Sequence, residues 1–502
     1  MPTSRLRLAP EVAGRLTGAL EKLRAELELP VAFGAAAQAE AETAAARGPG
    51  DVPGRAIPRA DRTDVPFVTV DPAGSMDLDQ ALHIEWGGHG WTVRYAIADV
   101  PAFVVPGGAL DEETHRRGTT AYGPDGSVPL HPEALSAGAA SLLPGEVRPA
   151  ALWTFELDED AQLRDTRVEP AVVRSRGRLS YDEAQAVIDG GPDPQGAVHV
   201  LRALREVGRR RQAIERDRGG VSLDVPEQRA SLAADGTWDL QFRAVLPVEN
   251  WNAQLSLLTG MAAAQLMLDA GVGVLRTMPP AQTRDVNRLR RTALALGLRW
   301  PRTVPYREFL DRLDPTRPAD EAFLDAATTL FRGAGYHAFG GADGAAPPAG
   351  DDARHSAIAA PYAHVTAPLR RLADRFGTEV CLAACAGKAV PEWVLAALPG
   401  LPGTMATTSQ RANGYTRGGV DLVEAAVLEP QVGREFDAVV VEGARRPRVP
   451  PEEQRGEIVV QDPAVRAAAR PGPDGALPVG KPVRARLVTA SVEARSVLFE
   501  LA

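Results

Sequence analysis

The stretch Val68–His83, VTVDPAGSMDLDQALH, constrains this chain more than any other. An apolar run of Phe67, Val68 and Val70 delivers Asp71, and Pro72, Ala73, Gly74 and Ser75 then break it as a turn does. Asp77 and Asp79 come next, separated by Leu78 alone. Carboxylates two apart point the same way on an extended segment, and a turn can fold a third back beside them. Clustered carboxylates repel, so the arrangement favours a bound cation. Hard oxygen ligands with room for water and phosphate suit Mg2+ or Mn2+. The bland alternative is a polar loop with solvated charges. Two sharper alternatives fail on detail. A calcium hand needs an acceptor after Asp79 and then Gly, where Gln80, Ala81 and Leu82 stand. An aspartyl-phosphate phosphatase wants its strand directly before the Asp-x-Asp pair, and here the turn intervenes.

A chain of 502 residues has room for about two to four domains and a large core. Its net charge of −9 does not announce a nucleic-acid binder. A whole-chain balance can still hide a local basic channel. Positive charge is almost all arginine, with lysine only at Lys22, Lys388 and Lys481. Arginine suits bidentate phosphate contacts, although base-composition bias in the gene is the larger cause of such an excess. Cys381 and Cys385 are the only cysteines, and their spacing gives neither a disulfide framework nor a zinc site. With no long apolar span or signal peptide, the expectation is a soluble, cytoplasmic protein with no membrane partner.

Along the chain, residues 10–28 carry Val12, Leu16, Leu20, Leu23 and Leu27 at helical spacing, and 35–46 is Ala/Glu-rich. Residues 1–60 therefore read as a helical extension. From Asp61 to about Pro170 the pattern is sheet-rich, with strand-like runs at 91–100 and 151–157. Helices dominate from Ser180: 181–189, 193–218, 249–270, 285–298 and 320–335. The run Arg209-Arg210-Arg211 is expected on a solvated helix face, with a backbone-guiding patch as the sharper alternative. Residues 340–352 read as a Gly/Ala/Pro/Asp linker. Residues 428–502 change character, with strand-like runs at 431–442, 456–460, 481–490 and 496–501 between Gly/Pro turns. Four or five short strands in so short a segment predict a small barrel. Phe436 and Phe499, its only rings, fall at alternating positions that want core residues, so base stacking there would be weak.

The acidic stretch and a series of segments downstream of it resemble the catalytic (RNB) domain of the ribonuclease II and ribonuclease R family, in the form of a divergent bacterial member. That family opens with Asp, five residues, Asp, one residue, Asp-Asp; Asp71, Asp77 and Asp79 match, and Gln80 replaces the fourth carboxylate. The likeness continues through YAIADVPAFVVPGGALDEE (95–113), RRGTTAYGPDGSVPLHPEALS (116–136), SLLPGEVRP (141–149) and RGRLSYDEA (176–184), and resumes at YAHVTAPLRRLAD (362–374). It spans roughly 61–420, in order. The resemblance implies an α+β chain: a helical extension (1–60), an RNB catalytic domain (61–427) with a sheet-rich and a helical half, and an OB-like barrel (428–502).

It further implies a metal-dependent exoribonuclease that degrades single-stranded RNA from its 3′ end to nucleoside 5′-monophosphates, as a monomer. Asp71, Asp77, Asp79 and Gln80 would surround Mg2+ or Mn2+. Asp79 and Arg370 would be catalytic, with Arg370 offsetting charge on the phosphate and Arg371 contacting it. Tyr122 and Tyr181 fall where the family places rings against the last bases. In the barrel itself, Arg445, Arg446, Arg448, Arg484 and Arg486 are available to hold phosphates in place of stacking, with a structural lid as the alternative role. The departures matter as well. Besides Gln80, the family's Glu-Glu pair is Ala253-Gln254, its substrate-contacting glutamate is Ala412, and Thr378-Glu379-Val380 replaces the usual His-Arg. They keep a second expectation open: a weak or inactive RNA-binding homologue of the same fold.

Overall fold

The computed structural model describes the chain apart from residues 1–3, 7, 224–226, 233–235, 315–316, 444–449, 451–452 and 461. Two five-stranded closed barrels stand at its centre and its C-terminal end. The first runs in chain order through Ala60–Asp71, Gln80–Trp86, Trp91–Ala98, Val147–Leu157 and Leu163–Ser180. Three antiparallel pairings and the short Val68–Leu82 contact build it, and a parallel pairing of its first and last strands closes it. That closure puts Asp71 opposite Ser180, so the acidic turn emerges where the last strand ends. Ser180 then caps the helix Tyr181–Ile188 in a reciprocal capping box with Glu183.

The barrel's alternating side chains serve two cores. Tyr95, Trp153 and Phe155 pack against Leu201, Leu204 and Val207 of the helix Val198–Arg218, Leu255 and Leu258 of Pro247–Ala270, and Phe376 of Leu372–Ala386. Phe67, Ala96 and Leu152 pack on the other side against Ala41 and Ala44 of Ala35–Arg47. Of the three-arginine run only Arg211 is buried, donating to the Ala161 carbonyl; Arg209 is exposed beside Trp251 and Arg210 pairs with Glu206, as on a solvated helix face. Glu379 is buried in an ion network with Arg55 and Asp99.

The helical extension is present as Pro10–Glu26 and Ala35–Arg47. Val12, Leu16, Leu20 and Leu23 share a core with the long helix Leu401–Leu428 and the second barrel. Close approach there requires glycine. A Cβ on Gly414 or Gly418 would lie 3.1 or 3.0 Å from Leu27 or Leu23, and one on Gly419 only 2.6 Å from Pro124.

The second barrel is made of Glu435–Glu442, Gly456–Val460, Val465–Arg470, Pro482–Ser491 and Ser496–Leu501. Phe436 and Phe499 meet edge to face inside it, 5.7 Å apart. Three elements differ from the sequence pattern. The helix expected over 320–335 ends at Ala327, with a 3-10 turn at Thr328–Leu330, and a strand at Gly335–Phe339 pairs with Gly273–Thr277. Glu227–Leu232 and Trp238–Arg243 form a hairpin inside the helical half, extended by Ser4–Leu6. The strand Val465–Arg470 carries no strand signal in its sequence.

Candidate active site

The acidic turn is held by its neighbours rather than by itself. Gly74 adopts φ +84°, and the Ser75 amide donates to the Pro72 carbonyl at 3.1 Å. The Ser141 hydroxyl accepts from the Leu78 amide at 3.0 Å and donates to the Met76 carbonyl at 2.6 Å. The Asp79 carbonyl accepts from the Ala98 amide at 2.9 Å. With Leu78 fully buried between them, Asp79 is buried and Asp77 partly exposed.

The loop carrying Arg370 comes to this turn from far along the chain. The Leu369 amide donates to Asp79 Oδ1 at 2.8 Å, and Arg370 Nε lies 3.6 Å from Asp79 Oδ2. The loop is fastened on its other side. The Thr120 amide and the Thr119 hydroxyl both donate to the Arg370 carbonyl, at 3.0 and 2.9 Å. Arg371 grips Asp374 through Nε and Nη2 at 2.9 and 2.7 Å, and Asp374 also accepts from the Ala367 amide. Arg371 is thus committed to holding the loop. The Arg370 side chain stays 45% exposed, which leaves its guanidinium available to an incoming group.

Burial governs the electrostatics. It pushes the Asp71 carboxyl up to about 7, with the Asp77 charge adding to the rise and Arg370 opposing it. It pushes Asp79 up to about 8 against the pull of Arg370 and the Leu369 amide. Asp71 Oδ2 is buried with no hydrogen-bond donor among the described residues. Two buried carboxylates short of positive charge, one with an unused oxygen, fit a hard cation. They do not form a closed cage: among the described residues no three His, Cys, Asp or Glu side chains converge at metal-binding distance. Most ligands of such a cation would be water and substrate oxygen, as Mg2+ prefers.

The other expected residues divide. The Tyr122 hydroxyl faces the Arg370 guanidinium and feels the charges of Asp77 and Asp79. The Tyr181 hydroxyl faces Asn252 and feels Asp71 and Arg370. Gln80 is engaged at both ends, its amide donating to the Thr366 carbonyl at 2.6 Å and its oxygen accepting from Tyr95 at 2.7 Å. That placement makes it a tie between the barrel and the Arg370 loop rather than an open ligand. Gln254 is turned away to Glu215. Ala412 lines one cavity of about 220 Å3 with Tyr122, Arg370, Arg371 and Thr119, together with Ser409, Asn413 and Thr416. The last three carry no sequence signal of their own; the segment 409–413 stands out in the sequence only for its missing acid.

Tyr122 is 44% exposed on the hairpin Ala121–Val128, whose position the helical extension fixes. Arg24 Nε donates to the Tyr415 hydroxyl at 2.9 Å, that hydroxyl donates to Asp125 at 2.7 Å, and Arg24 also pairs with Asp125.

Residues 59–377 match the RNB domain, and residues 434–502 match the RNase II-type exonuclease C-terminal S1 domain. The exosome complex exonuclease RRP44 of Mus musculus is 29% identical over 327 residues, 63% of this chain and 33% of its own length. Ribonuclease R of Vibrio cholerae is 26% identical over 411 residues, 76% of this chain and 48% of its own. The chain thus spans about a third to a half of these relatives. The structure of Mycoplasma genitalium RNase R in complex with ribose methylated single-stranded RNA superposes with TM-score 0.82 at 18% identity, covering 97% of this chain and 78% of that one. Yeast Ssd1, a pseudonuclease, does so with TM-score 0.65 at 15% identity over 84% of this chain and 52% of its own. Both structures speak to the fold alone. Among the described residues no helix is long and apolar enough to cross a membrane. With the RNB match covering more than half its length and the S1 match next in order, the chain belongs to the RNB family of ribonuclease R and RRP44.

Proposed function

We propose that this chain is a hydrolytic exoribonuclease that shortens single-stranded RNA from the 3′ end and releases nucleoside 5′-monophosphates. The observation that carries the reading is the half-exposed Arg370 guanidinium in one cavity with Tyr122, backed at 3.6 Å by the buried Asp79 carboxylate. A phosphate entering there meets a fork of N–H donors, which offset charge that develops on its non-bridging oxygens. The rings of Tyr122 and Tyr181 would offer faces to the terminal bases, and stacking tolerates any sequence. Arg371, through Asp374, holds the loop so that Arg370 need not reorganise. Asp71, Asp77 and Asp79 would hold Mg2+ or Mn2+, which supplies an activated water and offsets phosphate charge when bound. Gln80 keeps the fourth position neutral and the loop tied.

A second reading, an RNA-binding homologue with weak or no catalysis, is favoured by the engaged Gln80 and by the open acid set. A time course on 5′-labelled single-stranded RNA, with and without Mg2+, separates the two. A ladder receding from the 3′ end only with metal is the expected result. Binding without shortening selects the second reading. RNA neither bound nor cut removes both.

A further inference from the structure

The hairpin that carries Tyr122 is small. Ala121–Gly123 pairs with Gly126–Val128, and among the described residues no other strand lies beside them. Two such short strands are marginal by themselves, so what surrounds them decides where the Tyr122 ring stands. The base of the hairpin is tied to the Arg370 loop through Thr119 and Thr120. Its middle lies on the helix Leu401–Leu428. The Thr416 hydroxyl donates to the Tyr122 carbonyl at 2.7 Å, and Gly123 lies so flat on the Tyr415 ring that a Cβ there would be 2.4 Å from it.

The tip, Pro124-Asp125, is held by the helical extension. The Asp125 carboxylate takes the Tyr415 hydroxyl on one oxygen and Arg24 on the other, and Arg24 Nε closes the triangle on the same hydroxyl. Tyr415 is fully buried, and the Arg24 and Asp125 side chains are only 20% and 16% exposed, so water competes little for these bonds. The helix Pro10–Glu26 does not need this triangle in order to dock. Its Val12, Leu16, Leu20 and Leu23 lie in a core, Arg15 pairs with Glu429, and Glu26 pairs with Arg495. Arg24 instead serves the hairpin tip, close along the strand from Tyr122.

We propose that the helical extension is a specificity-determining part of the site. Arg24, through Asp125 and Tyr415, sets how far the Tyr122 ring reaches toward Arg370, and with it how short an RNA the site can hold. Arg24 touches no substrate and is a positioning residue. The inference rests on the reading of Tyr122 as a stacking face for a terminal base, not on catalysis.

The test uses the full chain in EDTA and an RNA trinucleotide ending in 2-aminopurine, whose emission falls when it stacks. The unaltered protein should quench the probe, and Tyr122→Ala should relieve the quench. Arg24→Ala should relieve a large part of it and weaken trinucleotide binding about fivefold, the low end of what one stacked base contributes. Arg24→Lys, which restores the charge without the fork, should recover part of both. Tyr415→Phe keeps the ring under Gly123 and removes the hydroxyl alone, so it reads the latch even if Arg24→Ala fails to fold. Arg24→Ala combined with Tyr122→Ala should match Tyr122→Ala alone, because the latch acts through the ring. A longer strand with the same end, held at many phosphates, should bind nearly as before. A quench relieved by Tyr122→Ala but kept in Arg24→Ala and Tyr415→Phe overturns the inference and leaves the Tyr122 reading intact. Additive losses in the double variant also overturn it, since Arg24 then acts elsewhere. No quench in the unaltered protein ends the Tyr122 reading and this inference with it.

Discussion

The two barrels have the same number of strands and the same device of closure, one parallel pairing among antiparallel ones. They differ in how charge is matched. The first buries Asp71 and Asp79 with too little positive charge nearby and leaves one Asp71 oxygen without a donor among the described residues. The second pairs its surface charge: Arg484 with Asp437 and Glu435 at 3.0 and 3.3 Å, Arg486 with Glu500 at 3.3 Å. Its two rings face inward. The comparison teaches that a barrel of this kind is a frame, and that chemistry gathers where the frame holds charge it does not itself balance. It also narrows the expectation that the second barrel's arginines hold phosphates. Arg484 and Arg486 already have acid partners, while Arg445, Arg446 and Arg448 lie outside the described residues.

The largest expected effect is in the first barrel. Asp79→Asn keeps shape and removes charge, and RNA cleavage should fall by about three orders of magnitude or more, each ~1.4 kcal/mol being tenfold. RNA affinity should persist; near-normal cleavage would sink the site. Phe499→Ala should cost about 3–5 kcal/mol by opening a cavity in the second barrel. Thermal unfolding reads this, and cleavage of a dinucleotide below the transition should survive. Should dinucleotide turnover vanish in the folded variant, the two barrels are not separable in function.

Glu424 supplies a pH test. It is buried under the second barrel, accepting from Gln228 and from the Arg466 amide, and burial pushes it up to about 8. Its folded pKa lies above the unfolded value, so its stabilising effect is complete below about pH 4 and is lost as pH rises toward about 8. The loss is at most about 5 kcal/mol. Glu424→Gln should flatten the fall of unfolding temperature with pH; parallel curves would show the carboxyl is not the cause. Tyr122→Ala should cost roughly 1–3 kcal/mol of hold on one base, read as a changed end-product length. An identical ladder from the folded variant would return Tyr122 to a structural role. Smallest of all, Arg484→Ala should leave RNA affinity nearly unchanged, because its charge is exposed and already shared with acids. A tenfold loss would show that the second barrel reads phosphate after all.

The acids are legible because Asp71, Asp77 and Asp79 sit close together in sequence, and a turn and a periodic strand announce themselves locally. Phe436 and Phe499 are placed in a core by alternation alone. The features that escape the sequence depend on distant partners. Val465–Arg470, VRAAAR, has the composition of a helix and becomes a strand because strands on either side pair with it. The helix expected over 320–335 stops at Ala327, and the segment Gly335–Phe339 that follows is a strand because Gly273–Thr277 offers it an edge. Arg370 and Arg371 are adjacent and chemically alike, yet only the position of Asp374 decides which one is committed to the loop. Gln80 has the look of an altered ligand in the sequence, and only Thr366 and Tyr95 at its two ends show it to be a tie.

The glycines of Leu401–Leu428 bear on the order in which the protein is made. Each weakens an isolated helix by roughly 1 kcal/mol relative to alanine, so this segment has little helical stability until something packs against it. Its packing partner is Pro10–Glu26, and the Arg24–Tyr415 hydrogen bond joins residues 391 apart. Closing so long a loop adds little to the equilibrium cost, since each doubling adds only about 0.6 kcal/mol, but it comes late in time. Leu16, Leu20 and Leu23 must therefore wait, uncovered, until Leu401–Leu428 has been synthesised, a stage at which apolar surface invites chaperones or aggregation. The wall that this helix gives the Arg370 cavity is expected to consolidate last, which pulsed hydrogen exchange during refolding would register as late protection of 401–428. A surface assembled in that order would stay incomplete until Pro10–Glu26 has met Leu401–Leu428.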